Sequence, residues 1–336
     1  MFTGSNYPIR HFLTWTRREI FFLLLVGTVP TVAFALTGWK WLAIPWVPIA
    51  LIGTAVAFVI GFKNNASYAR AWEARTAWGA IINASRAWGM IVKNFVASDQ
   101  LSASELAELR RQLIYTHLAW VTALRFQLRE PRDWETATKS YNAEYRRKYF
   151  VVEELDQKLL DVLPAYLTHE DFACIAPKKN RAAQLLSLQA TKVKTLLDKG
   201  LIDLATEMQL QSLLVELYRQ QGVCERIKNF PYPRQFATLN LMFVKLFVVL
   251  APFGILQEFQ KLGGQLFWLT IPFSGLVSWV LMSMEKIGEA TENPFEGNAN
   301  DVPITALSRN IEIDLRDMLD ETELPPALPP ANNISM

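Results

Sequence analysis

Four stretches of this 336-residue chain are almost free of charge, and they constrain its fold more than any other feature. Ile20 to Trp39 carries no charged residue over 20 positions, and Trp41 to Phe62 none over 22. Leu262 to Met284 has none in 23, and Gln235 to Gln257 has one in 23, Lys245. At about 1.5 Å of rise per residue, helices of this length reach roughly 30 Å, the thickness of a bilayer's hydrocarbon. The runs read as four transmembrane helices. The competing reading, helices buried in a soluble core, would need four such segments in one chain, and the length criterion argues against it.

The first run is longer than the apolar region of a cleavable signal, and no A-x-A cleavage pattern follows it. Trp39, Trp41 and Trp46 cluster between the first two runs, as in an interfacial aromatic belt. Only Lys40 separates these runs, so they form a hairpin. Arg10, Arg17 and Arg18 precede the first span, Lys63, Arg70 and Arg75 follow the second, and Arg226, Lys228 and Arg234 precede the third. The opposite side shows only Lys40 and Lys261. The positive-inside bias therefore puts the N-terminus, the long middle segment and the C-terminus in the cytoplasm. The division that follows is 1–62 for the N-terminal segment and spans one and two, and 63–234 for a cytoplasmic helical domain. Spans three and four occupy 235–287, and 288–336 is a cytoplasmic tail.

The rest of the chain belongs in water. One fifth of all residues are charged, with 34 Lys and Arg against 32 Asp and Glu, so the chain is neither disordered nor wholly buried in lipid. A net charge of +2 gives no reason to expect nucleic acid as a partner. Lys63–Val96 lacks proline, so the second span is expected to run on as a helix into the cytoplasm. Ser102-Ala-Ser-Glu105 is a capping box, opening a helix that ends near Glu130, before Pro131. Further helices are expected over 153–166, over 181–199 with Gly200 as C-cap, and over 204–222 with Gly222 as C-cap. Strand signals are nearly absent, and no strong repeat is visible. Asn310–Glu321 reads as a short amphipathic helix, and 324–330, rich in proline, as extended or disordered chain.

A search for chemistry finds no phosphate-binding loop, no dinucleotide fingerprint, no G-x-S-x-G and no H-E-x-x-H. His11, His117 and His169 lie in separate segments without a second ligand at metal spacing, and read as surface or packing residues. Cys174 and Cys224 are too far apart for a CxxC site. No cofactor, metal or catalytic group is expected. Four spans without an enzyme motif make transport the leading class.

In the second span Thr54, Phe58 and Phe62 lie at i, i+4 and i+8, one stripe along the helix. Gly53, Ala57 and Gly61 form a second stripe, small enough for a neighbouring backbone to approach closely. Several subunits around an axis would turn the first stripe into rings lining a pore. Residue spacing and composition alone favour the plainer reading, in which these phenylalanines face lipid or another helix, because aromatic stripes are commonly packing.

Gly61-Phe-Lys-Asn-Asn-Ala-Ser-Tyr-Ala-Arg70, with Trp72-Glu-Ala-Arg75 and Trp78-Gly79 after it, resembles the bacterial bestrophin-like channel family. So do Cys224-Glu-Arg-Ile227 with Pro231-Tyr-Pro233 before span three, Glu292-Asn-Pro-Phe295 after span four, and Ile311-Glu-Ile-Asp-Leu315 in the tail. These blocks are spread over nearly the whole chain in the family's order. The resemblance implies an all-α membrane protein with four transmembrane helices per subunit and a helical cytoplasmic domain. It implies a homopentamer around a central pore that passes small monovalent ions across a bacterial inner membrane. Animal relatives pass chloride and other anions, whereas bacterial relatives include monovalent-cation channels. The family's hydrophobic neck maps onto Thr54, Phe58 and Phe62, and Thr54 departs from its usual bulky apolar residue. The cytoplasmic aperture, set before Leu210-Gln-Ser-Leu-Leu214, maps onto Met208, a position that ordinary packing also explains. Animal members hold calcium in an acidic clasp after Asn-Pro-Phe. In Asn293-Pro-Phe-Glu-Gly-Asn-Ala-Asn-Asp301, Asp301 is the one acid of the cluster retained, and calcium wants several carboxylates. Asn293 and Asp301 are expected as structural caps or clasp remnants.

Lys245, near the middle of span three, could bias the field of a pore, but since span two already supplies a pore wall the structural reading, snorkelling or sitting against another subunit, is favoured. The rival from another class is a membrane-anchored scaffold or signalling protein whose cytoplasmic helices bind a partner. A secondary transporter would carry inverted repeats, which the sequence does not show.

Overall fold

The computed structural model describes residues 1–98 and 100–336. Among the described residues the regular backbone is helical, apart from isolated bridges pairing Phe2 and Ala331 with Ile334. Four helices are long and apolar enough to cross a membrane. They are α1 (Ile9–Thr37), α2 (Trp46–Phe95) and two later ones. Between α2 and those lie α3 (Ala103–Arg129), α4 (Ser140–Tyr149), α5 (Glu153–Asp156), α6 (Leu159–Val162), α7 (His169–Ile175), α8 (Arg181–Asp198) and α9 (Leu204–Asn229). The last two spans are α10 (Arg234–Lys261) and α11 (Thr270–Thr291), and α12 (Ile304–Met318) follows them.

The boundaries have local causes. Gly38 adopts φ 66°, a left-handed conformation that ends α1 and excludes most side chains. Its companion run does not become helical at Trp41: a short 3-10 turn, Lys40–Leu42, precedes Pro45, and α2 starts at Trp46. From there α2 continues for 50 residues, about 75 Å, so it crosses the apolar layer and runs far beyond it, as expected. The 62/63 division therefore falls inside a continuous helix. The capping box is formed: Ser102 Oγ accepts from Glu105 N, and the Glu105 carboxylate accepts from Ser102 N. Gly200, φ 67°, closes α8 as read from the sequence.

Three expectations need correction. The segment 153–166 is not one helix. It breaks at Gln157 and again before Pro164, which cannot donate to a helical ladder. Gly222 does not end α9, which runs on to Asn229. It is exposed, and the burial of Cys224, Ile227 and Lys228 beyond it outweighs the roughly 1 kcal/mol a glycine costs in a helix. The fourth span begins with a 3-10 turn at Leu266–Leu269 and ends at Thr291, not Met284. The helices α4 and α7 carry too few apolar positions to be read from periodicity.

Two large cores hold most of the chain. In the membrane layer Leu23 of α1 and Ile49, Val56 and Ile60 of α2 meet Val244, Phe247, Val248 and Ala251 of α10. Close approach is made by small residues: a Cβ at Gly27 would lie 2.6 Å from Ser274 Oγ, and one at Gly254 2.7 Å from the Trp46 ring. Outside the membrane the far half of α2 is the axis of a bundle with α3, α8, α9 and α12. Trp78, Ile81 and Trp88 of α2 pack there with Trp120, Leu185, Leu210 and Leu315. A fully buried Trp removes roughly 150–250 Å² from water, worth about 4–6 kcal/mol before entropy is charged against it. His117 belongs to this core. Its ring nitrogens meet Gln189 Oε1 at 3.1 Å and Ser85 Oγ at 2.9 Å, and burial lowers its pKa to about 4, so it stays neutral and structural. Beyond α12, residues 324–330 lack regular structure, and the segment after them docks on the N-terminus through Ser335 N to Met1 O.

Candidate functional site

The α2 helix has two unlike sides within the membrane layer. Ile49, Val56, Ile60, Lys63 and Ser67 are buried against the rest of the subunit. Turned the other way, Phe58 and Phe62 are 67% and 61% exposed, and Thr54 is exposed above them. The two rings meet edge to face, with centroids 4.6 Å apart and planes at 84°. Thr54 Oγ1 donates to Ala50 O at 3.0 Å, which consumes its proton inside the helix and leaves its lone pairs outward. So the three residues predicted as a stripe do share one open face of the subunit. Of the small-residue stripe only Gly53 is used internally, where a Cβ would come within 2.5 Å of the Phe247 ring. Ala57 is exposed, and nothing lies within 4 Å of a Cβ at Gly61.

A polar anchor fixes which way this face points. Lys63 follows Phe62 directly, and the 100° step of a helix turns it inward. It is 2% exposed, with its ammonium 2.5 Å from Glu285 and 4.0 Å from Glu292. Asn64 donates to Met284 O and Ser67 to Gly288 O, stitching α2 to α11. Arg70 donates to the carbonyls of Glu292 and Ile227, and Arg234 binds Glu292 at 2.8 Å. Burial pushes the Glu292 carboxyl above its ordinary pKa, while Lys63 and Arg234 pull it back. In the sequence Lys63, Asn64, Ser67 and Arg70 stood out only as part of the block that carries the resemblance. Their partners on α9 and on or just after α11 lie more than 150 residues away, and no spacing rule would pair them.

Met208 sits in the second turn of α9, 61% exposed, on one side with Leu204 and Val215, which are exposed as well. It is not core packing within this subunit. Neither is it brought to the Phe58–Phe62 face by any contact inside the chain.

Asn293 and Asp301 bracket a buried loop. Asp301 Oδ2 accepts from Gly297 N at 2.7 Å, from Asn298 N at 3.1 Å and from Arg129 at 3.3 Å. Asn293 Nδ2 reaches Glu296 Oε2 at 3.4 Å. Glu296, which the count of retained acids passed over, is the hub: its oxygens accept from Thr136 N and Thr136 Oγ1 at 2.7 Å each, and from the Asn298 amide. Beside it Lys228 pairs with Glu135, both buried. Burial, reinforced by Asp301, pushes Glu296 up to about 8. Burial also raises Asp301, against Arg129 and the two amides. A calcium ion does not fit this donor set. Arg129 occupies Asp301 Oδ2 and hydrogen-bond donors engage both oxygens of Glu296, which leaves Asp301 Oδ1 as the one unpartnered carboxylate oxygen of this pair, and calcium wants several. The loop closes the subunit by tying α3 and the 132–142 segment to the end of α11.

Comparison with known proteins agrees with this architecture. A family model described as bacterial/fungal bestrophin protein matches residues 15–317. The voltage-dependent anion channel-forming protein YneE of Escherichia coli is 29% identical over 283 residues, 84% of this chain and 80% of its own. A protein of the same description from Synechocystis is 24% identical over 340 residues, 96% of each chain. The crystal structure of a bacterial bestrophin homologue from Klebsiella pneumoniae superposes with a TM-score of 0.72 at 23% identity, over 90% of this chain and 98% of that one. That last likeness is one of fold.

Proposed function

Because this chain belongs to the bacterial and fungal bestrophin family, we propose that it is a multi-pass membrane ion channel whose pore forms between identical copies. Relatives named as anion channel-forming proteins support the channel reading. In this reading five copies surround one axis, and the α2 helices turn Thr54, Phe58 and Phe62 inward as a narrow hydrophobic neck. Small monovalent ions pass passively. They shed water at the rings, where the positive edges of the phenylalanines compensate an anion in part, and the same rings close by drying. Met208 forms a second ring at the cytoplasmic aperture. Residues 63–234 and 288–336 form the cytoplasmic part, with both termini on that side of a bacterial inner membrane. Asn293 and Asp301 act as structural elements of the loop behind the neck.

The observation that carries this is the exposed Phe58–Phe62 face on a helix whose opposite side is locked by Lys63. The test is ion flux from liposomes holding the purified protein. Phe58→Ala with Phe62→Ala widens the neck, so flux should rise several-fold in particles of unchanged size. Unchanged flux through correctly assembled particles would remove the neck from these residues.

A further inference from the structure

The open face of α2 does not end at the phenylalanines. At about 100° per residue, Thr54, Phe58 and Phe62 span roughly 80° of the helix circumference, and Asn65, Ala69, Thr76 and Asn83 fall inside the same arc. No Asp, Glu, Lys or Arg of α2 lies within it. Lys63 and Arg70 are held on the other side by Glu285 and the Glu292 carbonyl, and Glu73, just beyond the margin of the arc, pairs with Arg226 at 2.5 Å. Fixed charge on this helix therefore does not sort ions along the face, and hydrogen-bonding groups are left to do it.

Asn65 is the first of these. It stands about 4.5 Å along the helix beyond Phe62 and is exposed. Asn64 beside it donates to Met284 O, whereas among the described residues the Asn65 carboxamide makes no hydrogen bond. Earlier on the face the Thr54 proton goes to Ala50 O, and the phenylalanines have no donor. The Asn65 amide thus carries the first free N–H donors on the stripe, and donors are what an anion takes in place of water. Resting on the channel reading above, we propose that Asn65 is a specificity-determining residue. Its carboxamides ring the inner end of the neck, end the dry span there and give a partly dehydrated anion its first hydrogen bonds. The positive phenylalanine edges before it act in the same sense, so chloride is preferred to sodium.

The test is single-channel current and reversal potential of the full-length protein in planar bilayers under a sodium chloride gradient. Asn65→Leu keeps nearly the same shape, removes the donors and lengthens the dry span. Chloride conductance should fall at least about fivefold, and the chloride-to-sodium permeability ratio should drop toward one. Asn65→Ser restores a hydroxyl donor and should stay within about twofold of wild type in both. A Leu variant that conducts and selects like wild type overturns the assignment. So does an equal loss in the Leu and Ser variants, which marks a packing contact between copies, and so does a wild type that prefers sodium. Should Asn65→Leu give no current or fail to assemble, Asn65→Cys in a Cys174→Ser background is treated with cationic and anionic thiol reagents. Opposite shifts in the ratio support the assignment, and no shift with either overturns it. Absence of any wild-type conductance would sink the channel reading itself, a result distinguishable from altered selectivity.

Discussion

Replacing Lys63 with Met separates two meanings of an ion pair. Lys63–Glu285 and Arg226–Glu73 have the same 2.5 Å separation, but the first pair is 2% and 5% exposed and the second 61% and 44%. Removing Lys63 strands Glu285 as a buried charge and takes from Glu292 one of its two cations. Breaking a buried pair from one side costs about 3–5 kcal/mol, whereas an exposed pair is worth about 1 kcal/mol or less. Urea unfolding of the protein in detergent micelles, followed by tryptophan fluorescence, reads both variants on one slope. Lys63→Met should fall by about 3–5 kcal/mol and Arg226→Ala by less than about 1. Lys63→Met combined with Glu285→Leu should recover most of the loss, because the stranded carboxylate is gone. A Lys63→Met variant within about 1 kcal/mol of wild type would refute the reasoning, as would a double variant no better than the single one. The point matters beyond stability, since Lys63 fixes the rotation of α2 one residue after Phe62.

Other outcomes follow from the same structure. Gly53→Val drives a side chain into the Phe247 ring and should cost about 1–3 kcal/mol, whereas Gly61→Leu meets nothing within the subunit. If the open stripe receives a neighbouring copy, Gly61→Leu leaves the subunit folded yet lowers the particle mass by light scattering. The raised pKa of Glu296 gives the buried loop a pH dependence of definite sign. Its contribution to stability is complete below the ordinary carboxylate value of 4.5 and is lost as pH rises through about 8. Hydrogen exchange at the Gly297 and Asn298 amides, corrected for the intrinsic rate, should therefore show protection declining from pH 5 to pH 8. Glu296→Gln should flatten that decline, and an equally steep profile in the variant would assign it to another group.

How much of this was legible in the sequence depends on range. Apolar runs, the capping box at Ser102 and the left-handed Gly200 are local signals, and these three survived. The Thr54–Phe58–Phe62 stripe was legible too, because helical geometry alone places residues four apart on one face. Gly222 misled, since an exposed glycine ends a helix only when nothing beyond it gains from burial. The anchor around Lys63 was invisible because Glu285 and Glu292 reach it only through the fold. Glu296 was passed over for a similar reason: as one acid among loop residues it looks solvated, and only the packing of Thr136 and Asn298 around it reveals a hub.

In the channel reading the Phe62 face borders water within an assembly of identical copies. Current through Phe62→Cys channels in a Cys174→Ser background, recorded before and after a membrane-impermeant thiol reagent, reports on that water. Cys224 is buried and should stay silent. The predicted result is a rapid, irreversible change in current that the Cys174→Ser parent does not show. A current indifferent to the reagent, with the thiol at position 62 still unmodified, would contradict it.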